Sequence, residues 1–131
     1  MNVSRLLVVA AFAAISAPLA CSDSTSAPPV GKVSVHVVDA NGGGVSLVAV
    51  DLYKVVGTET TLWRGAYTGS TGVAVFGETG GGIVEGDYLV HVTFVTNFHL
   101  ADGETNDKPV TVHGGDDLVV TFQAVSTVPH L

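Results

Sequence analysis

The chain has 131 residues and a formal net charge of −7, because five Lys and Arg residues stand against twelve Asp and Glu residues. So few basic side chains cannot form the stripe that binds a phosphate backbone, and we expect no nucleic-acid partner. A single cysteine, Cys21, excludes a disulfide bond within the chain.

The first twenty residues have the pattern of a secretory signal peptide. Arg5 supplies a positive charge, and the uncharged apolar run LLVVAAFAAISA follows at residues 6–17. This run is too short to cross a bilayer, which takes about 20 apolar residues. We therefore expect residues 1–20 to direct export and to be removed.

The apolar run ends in Pro18-Leu19-Ala20-Cys21, which resembles a bacterial lipobox. Ala20 fits the small residue before the cysteine, whereas Pro18 stands where Leu is usual. The resemblance implies a lipid on the thiol of Cys21 and a membrane anchor in the cell envelope, at the outer membrane or cell surface of a Gram-negative cell. The alternative is a plain signal-peptidase cut that releases a freely secreted domain.

Residues 21–29 contain the cysteine and a tether. Residues 22–29 read SDSTSAPP, and their hydrated side chains and prolines disfavour regular pairing. Eight such residues span at most about 28 Å, so the tether would keep a domain close to the membrane. The expected domain covers residues 30–125, and residues 126–131 form a C-terminal tail.

Residues 30–125 show short apolar alternations separated by Gly, Asn, Asp and Ser turns. The pattern predicts an all-β fold, a single antiparallel sandwich of seven strands with an Ig-like arrangement. The last two strands are predicted at residues 110–112 and 118–123. Residues 96–109 form the longest predicted loop, and such loops often carry binding sites.

Four motifs follow one another along this domain. They are Asp39 with Gly42, then Leu52-Tyr53, then Thr68 with Gly72, Ala74 and Phe76, and finally Gly86 with Tyr88. In this order they resemble a carboxypeptidase regulatory-like domain, the prealbumin-like or transthyretin-like sandwich that also occurs in Cna-B-type surface repeats. The motifs are structural, so the resemblance implies a fold and no particular ligand.

Two residues have structural roles to consider within this resemblance. Tyr88 resembles a tyrosine-corner residue, whose hydroxyl bonds a nearby backbone group. Cna-B modules form a Lys–Asn isopeptide bond, and Lys32 lies on the first strand. Val residues, however, occupy the positions before the Asp turn, where that Lys usually lies. We expect no isopeptide bond here.

The candidate metal ligands are scattered. The five histidines lack His-x-x-x-His spacing, and we expect no carboxylate beside His36 or His91, which could approach one another only within one sheet. The long loop carries oxygen donors that could bind calcium together with Asp116 or Asp117, although the EF-hand order is absent. These weak calcium candidates are Asp102, Glu104 and Asp107, with Asn106 between them.

Catalytic motifs are not found in the sequence. There is no Gly-x-Ser-x-Gly for a nucleophile. The chain ends in Val-Pro-His-Leu, whereas transthyretin-related hydroxyisourate hydrolases end in Tyr-Arg-Gly-Ser, and it lacks the His-x-His of intradiol dioxygenases. We therefore expect no enzyme activity, no catalytic residues and no cofactor.

Aromatic side chains are the remaining candidates for ligand contact. Trp63 and Tyr67 could form a platform that stacks on a sugar ring, with a core position for Trp63 as the alternative. Phe98 and His99 form a second candidate patch in the long loop.

The combined pattern favours a non-enzymatic, lipid-anchored module of the cell envelope that serves binding, adhesion or an accessory role. Its partner would be an unknown envelope protein or a glycan. The alternative is a structural subunit of a surface assembly formed by edge-strand pairing. A carbohydrate-binding module is the third hypothesis.

Overall fold

The computed structural model describes residues 29–79, 81–95 and 97–128, which form two packed β-sheets. The predicted signal peptide, Cys21 and most of the tether lie outside these residues. The described residues contain nine strands, and none of their segments is a helix that could span a membrane. The strands are β1 (Val30–Val38), β2 (Val48–Val56), β3 (Glu59–Tyr67), β4 (Val73–Phe76), β5 (Ile83–Val84), β6 (Gly86–Phe94), β7 (Phe98–Leu100), β8 (Asp107–Val112) and β9 (Asp117–Ser126).

The all-β sandwich is confirmed, but the predicted number of seven strands is wrong. One sheet has the order β4-β1-β9-β7, with β5 paired to β1, and the other has the order β3-β2-β6-β8. Neighbouring strands are antiparallel except β1 and β9, which run parallel. The additional strands include β5 and β7, which are two and three residues long. Such short segments cannot display an alternation of apolar and polar residues.

The predicted long loop is also partly wrong. β7 lies inside it, and β8 starts at Asp107, so only residues 101–106 connect these two strands. Pro109 lies within β8, which pairs with β6 alone, and proline is compatible with such an edge strand.

The core lies between the sheets and is built mainly from alternate residues of β1, β2 and β6. Most of it consists of valine, whose branched side chain packs well on a pleated surface. Each fully buried aliphatic side chain contributes about 1.5–3 kcal/mol, which lets this core form without a disulfide bond. The buried set from β1, β2 and β6 is Val33, Val35, Val37, Val48, Val50, Leu52, Tyr88, Val90 and Val92.

The hydrogen bonds of Thr68 explain one of the sequence motifs. Apart from Tyr88, Thr68 is the only buried side chain with a polar atom among the described residues. Its hydroxyl donates to the carbonyl of Val45 at 2.7 Å and accepts from the N–H of Val48 at 3.0 Å. Thr68 therefore ties the end of β3 to the start of β2. Gly72 follows with φ of +79°, and a Cβ there would lie 2.5 Å from Gly44 Cα, so only glycine fits.

Tyr88 has the geometry of a tyrosine corner, as predicted. Its side chain is 1% exposed, and its hydroxyl donates to the carbonyl of Val84 at 2.7 Å. The bond satisfies a hydroxyl that would otherwise be buried without a partner. Tyr88 therefore belongs to the architecture of the core.

Candidate functional site

An apolar row crosses the outer face of the β3-β2-β6-β8 sheet. Leu62, Tyr53, Leu89 and Pro109 occupy directly opposed positions on these four successive strands. Opposed residues have Cβ atoms about 5 Å apart, so their side chains form a continuous band. The core does not use this band, because the side chains point away from the other sheet.

A polar row runs alongside the apolar one, with Asp51, His91 and Asp107 on β2, β6 and β8. His91 Nδ1 lies 2.6 Å from Asp107 Oδ1. An ionised carboxylate only accepts hydrogen bonds, so Nδ1 carries a proton in this contact, and Nε2 faces away from Asp107. The expectation that no carboxylate lies beside His91 is therefore wrong, because β8 begins at Asp107 and places it opposite His91.

Tyr53 and His91 form the walls of a depression between the two rows. Their ring centroids are 6.5 Å apart with an interplanar angle of 78°, an edge-to-face contact. The depression has a volume of about 280 Å³ and is lined by Tyr53, Thr60, Leu89, His91 and Asp107.

A second depression, of about 440 Å³, shares His91 with the first. It lies between the end of β6 and β7, and its other lining residues include Thr93, Phe94, Phe98, His99, Leu100 and Asn106. We refer to the two depressions together as the His91 groove. Phe98 and His99, predicted as a contact patch, lie in this groove. The His99 ring is exposed, and its Nδ1 bonds the carbonyl of Leu100 at 2.8 Å.

The structure does not bring Trp63 and Tyr67 into one platform. Trp63 is half-buried and packs against the core, with its ring 6.4 Å from that of Tyr88 in an edge-to-face contact. The guanidinium carbon of Arg64 lies 4.5 Å from the centroid of the Trp63 ring. Tyr67 is 62% exposed at the end of β3. These contacts favour the core alternative for Trp63.

The three calcium candidates contact different partners. Asp107 bonds His91, whereas Glu104 Oε1 lies 2.8 Å from Lys108 Nζ. Asp102 is exposed in the connection between β7 and β8. Within residues 29–79, 81–95 and 97–128, no group of three His, Cys, Asp or Glu side chains is placed to hold a metal ion. Calcium binding stays a prediction that this geometry does not support.

Glu104 and Lys108 bridge the two sheets instead. Lys108 Nζ donates to the carbonyl of Thr121 on β9 at 2.6 Å, and Glu104 Oε2 accepts from the N–H of Gln123 at 2.8 Å. The hydrogen bond from Lys108 is the main cause that lowers the pKa of Glu104 below its ordinary 4.5, against the opposing effect of burial. We refer to Glu104 and Lys108 as the edge ion pair.

The remaining candidate residues lie on the other sheet. His36 is on β1, so it does not share a sheet with His91 and the two cannot approach along one surface. Lys32 Nζ lies 3.6 Å from Asp117 Oδ2; the Lys32 side chain is partly exposed and that of Asp117 is well exposed. The inward positions of β1 are Val33, Val35 and Val37. An isopeptide bond of the Cna-B type would form inside the core. Lys32 lies outside the core.

Comparison with known proteins identifies the fold. No family model and no curated protein matches the chain. Among solved structures, a streptococcal ancillary pilin has a TM-score of 0.60 at 15% identity, over 77% of this chain and 34% of the pilin. The minor pilin GBS52 of Streptococcus agalactiae has a TM-score of 0.57 at 17% identity, over 79% of this chain and 47% of the pilin.

A third similar structure is the full-length major pilin SpaD from Corynebacterium diphtheriae, with a TM-score of 0.58 at 15% identity, over 74% of this chain and 30% of the pilin. The matched region is less than half of each of the three pilins. These likenesses show a fold of the prealbumin-like, Cna-B-like kind. They do not carry a function from one protein to another at such identities.

Proposed function

We propose that this chain is a non-enzymatic binding module of the cell envelope, anchored by a lipid on Cys21, that binds an envelope glycan in the His91 groove. The groove itself is the main support. Its first depression combines Tyr53 and Leu89 of the apolar band with the His91–Asp107 pair, side chains that lie outside the core.

The chemistry of the groove suits a sugar ring. Tyr53 and Leu89 offer apolar contact to the C–H face of a pyranose, as aromatic and aliphatic side chains do in ligand sites. Asp107, His91 Nε2 and the hydroxyl of Thr60 lie at the rim and can bond sugar hydroxyls. Depressions on both sides of His91 suit neighbouring units of a polymer.

Two further observations support an exported module. Pilins with the same fold are surface proteins, and the lipobox-like Leu19-Ala20-Cys21 agrees with export and anchoring.

The groove is tested by sedimentation of the protein with insoluble cell-wall glycan isolated from the host. Tyr53→Ala should weaken binding about tenfold, because an aromatic contact contributes about 1.4 kcal/mol. Tyr67→Ala is the matched control, since it removes an exposed tyrosine on the same sheet outside the groove, and it should bind like the unaltered chain. Loss of binding in the Tyr67 variant alone would move the site to β3, and equal binding by all three proteins would exclude the groove.

The anchor is tested by the mass of the N-terminal peptide from the membrane fraction of the host. A peptide that begins at Cys21 and carries acyl chains is expected. Cys21→Ser should move the protein from the membrane fraction to a soluble exported fraction, because the acyl chains supply the membrane affinity. An unmodified peptide that begins elsewhere would contradict the anchor and leave the groove experiment unaffected.

A further inference from the structure

β3 is a long edge strand with an open side. It has nine residues, and among the described strands it pairs with β2 alone. In an antiparallel ladder, every second residue directs its N–H and C=O away from the partner strand. One side of β3 therefore presents a row of backbone groups that another strand can bond.

The other outer strands of the described sheets are shorter or less able to pair with another strand through their backbone groups. β4 has four residues and β7 has three, whereas β8 contains Pro109 and Lys108 of the edge ion pair. β3 contains neither proline nor lysine, the residues that commonly block pairing at an edge. Its one irregularity is a register shift opposite Leu52 and Tyr53, which leaves four regular positions on each side, residues 59–62 and 64–67.

We infer that β3 pairs antiparallel with β3 of a second copy of this chain, which joins two sheets into one. The charges on the strand favour this partner. β3 has one acid, Glu59, and one base, Arg64. Antiparallel pairing brings the first half of one strand beside the second half of the other, so each Glu59 approaches the Arg64 half of its partner, twice in a two-fold dimer.

The exposed apolar side chains of β3 add to this pairing. Leu62 is 55% exposed and Tyr67 is 62% exposed. A net charge of −7 opposes association of two copies in general. β3 itself has no net charge, because Glu59 and Arg64 offset one another. Contact between two copies of β3 therefore adds no repulsion between the two acidic domains. The inference does not depend on glycan binding in the His91 groove.

Cysteine cross-linking tests the contact in the full chain within host membranes. Thr60→Cys, Thr61→Cys and Leu62→Cys each introduce one thiol on β3, and Thr111→Cys introduces one on β8 as a control. The unaltered chain reports any cross-link through Cys21, its only cysteine. At least one β3 variant should give an oxidised species of twice the chain mass, and the β8 variant should not.

Charge reversal tests the arrangement. Glu59→Arg should raise the dimer dissociation constant of the full chain in detergent at least about tenfold, because like charges then meet at two symmetric places. Adding Arg64→Glu should restore the dimer, and Glu78→Arg, the same change of charge in the turn after β4, should have no effect. Sedimentation velocity measures all four proteins.

Three results would overturn the inference. The first is a monomer at every concentration with no cross-link from any β3 cysteine. The second is a cross-linked species whose mass shows a different protein on β3. The third is a dimer that forms equally well in the Glu59→Arg variant, which would contradict antiparallel pairing of the two strands.

Discussion

The two outer strands of the β3-β2-β6-β8 sheet are protected in different ways. β8 is six residues long, contains a proline and is bridged to the other sheet by the edge ion pair. β3 is nine residues long and mostly exposed, and it contacts the core chiefly through Trp63 and Ala66. The same sheet thus has one closed side and one open side.

The β8 side shows how two charged residues can join the edges of the two sheets. Lys108 and Glu104 bond the Thr121 carbonyl and the Gln123 N–H, backbone groups on the side of β9 away from β1. Lys108 also lies 4.8 Å from the centroid of the Phe122 ring, so its stem covers the core. On the other side of the sheet, β3 is held by its pairing with β2 and by the core contacts of Trp63 and Ala66, and its outer backbone edge stays open.

The largest expected loss of stability follows from a substitution on β3, the open side of the sheet. Trp63→Ala should lower the free energy of unfolding by about 2 kcal/mol, less than for a fully buried tryptophan because the indole is half-buried. The loss removes the ring contacts to Tyr88 and Arg64. Urea unfolding at pH 7 measures it.

Leu62→Ala is the matched control for this change. Leu62 is the neighbouring residue of β3, and its side chain is 55% exposed on the outer face. It should cost about 0.5 kcal/mol or less, as exposed substitutions usually do. Equal costs for the two variants would show that Trp63 does not attach β3 to the core.

The second expected loss of stability follows from a substitution in the edge ion pair, on the β8 side of the sheet, and it depends on pH. Glu104→Gln should lower the free energy of unfolding by about 1 kcal/mol at pH 7, because a hydrogen bond to a charged group is replaced by a neutral one. The pKa of Glu104 is lowered in the folded chain, so its contribution is complete above the ordinary value of 4.5. It is lost as the pH falls through the lowered pKa, where the carboxyl becomes protonated.

Urea unfolding of both proteins at pH 7 and pH 2.5 measures this dependence. The stability difference should be present in full at pH 7 and should be smaller at pH 2.5, because the lowered pKa of Glu104 lies below 4.5. Asp102→Asn is the control, because it removes a carboxylate from the same connection outside the edge ion pair, and it should leave stability nearly unchanged. A difference that is equal at pH 7 and pH 2.5 would mean that Glu104 acts through packing and not through its charge.

Much of the fold could be predicted from the sequence because strand periodicity is local. The alternation in Val33, Val35 and Val37 assigns one face of β1 to the core, and that assignment is confirmed. β7 could not be predicted, since a strand of three residues in a polar stretch resembles a loop. Its pairing with β9 depends on residues more than 20 positions away.

The candidate site was harder to predict, because it depends on register between strands. The outward orientation of Tyr53 and His91 can be predicted from the alternation in the sequence. Nothing local indicates that Asp107 is the first residue of a strand, or that it lies opposite His91. The place of Phe98 and His99 in a long predicted connection makes them candidates, and both line the second depression. The residue type of Trp63 does not distinguish a platform from a core contact.

The smallest expected effect concerns Pro109. A proline in an edge strand has its nitrogen on the side away from the ladder, where the missing N–H costs nothing within the domain. Pro109→Val should therefore change the free energy of unfolding by less than about 0.5 kcal/mol.

The same substitution should, however, give β8 an outward N–H, so the Thr111→Cys chain should begin to form cross-linked dimers once Pro109 is replaced. If no dimers form, the edge ion pair and the short length of β8 suffice to keep this side closed. The difference between β8 and β3 would then lie in the bridge between the sheets and not in the proline.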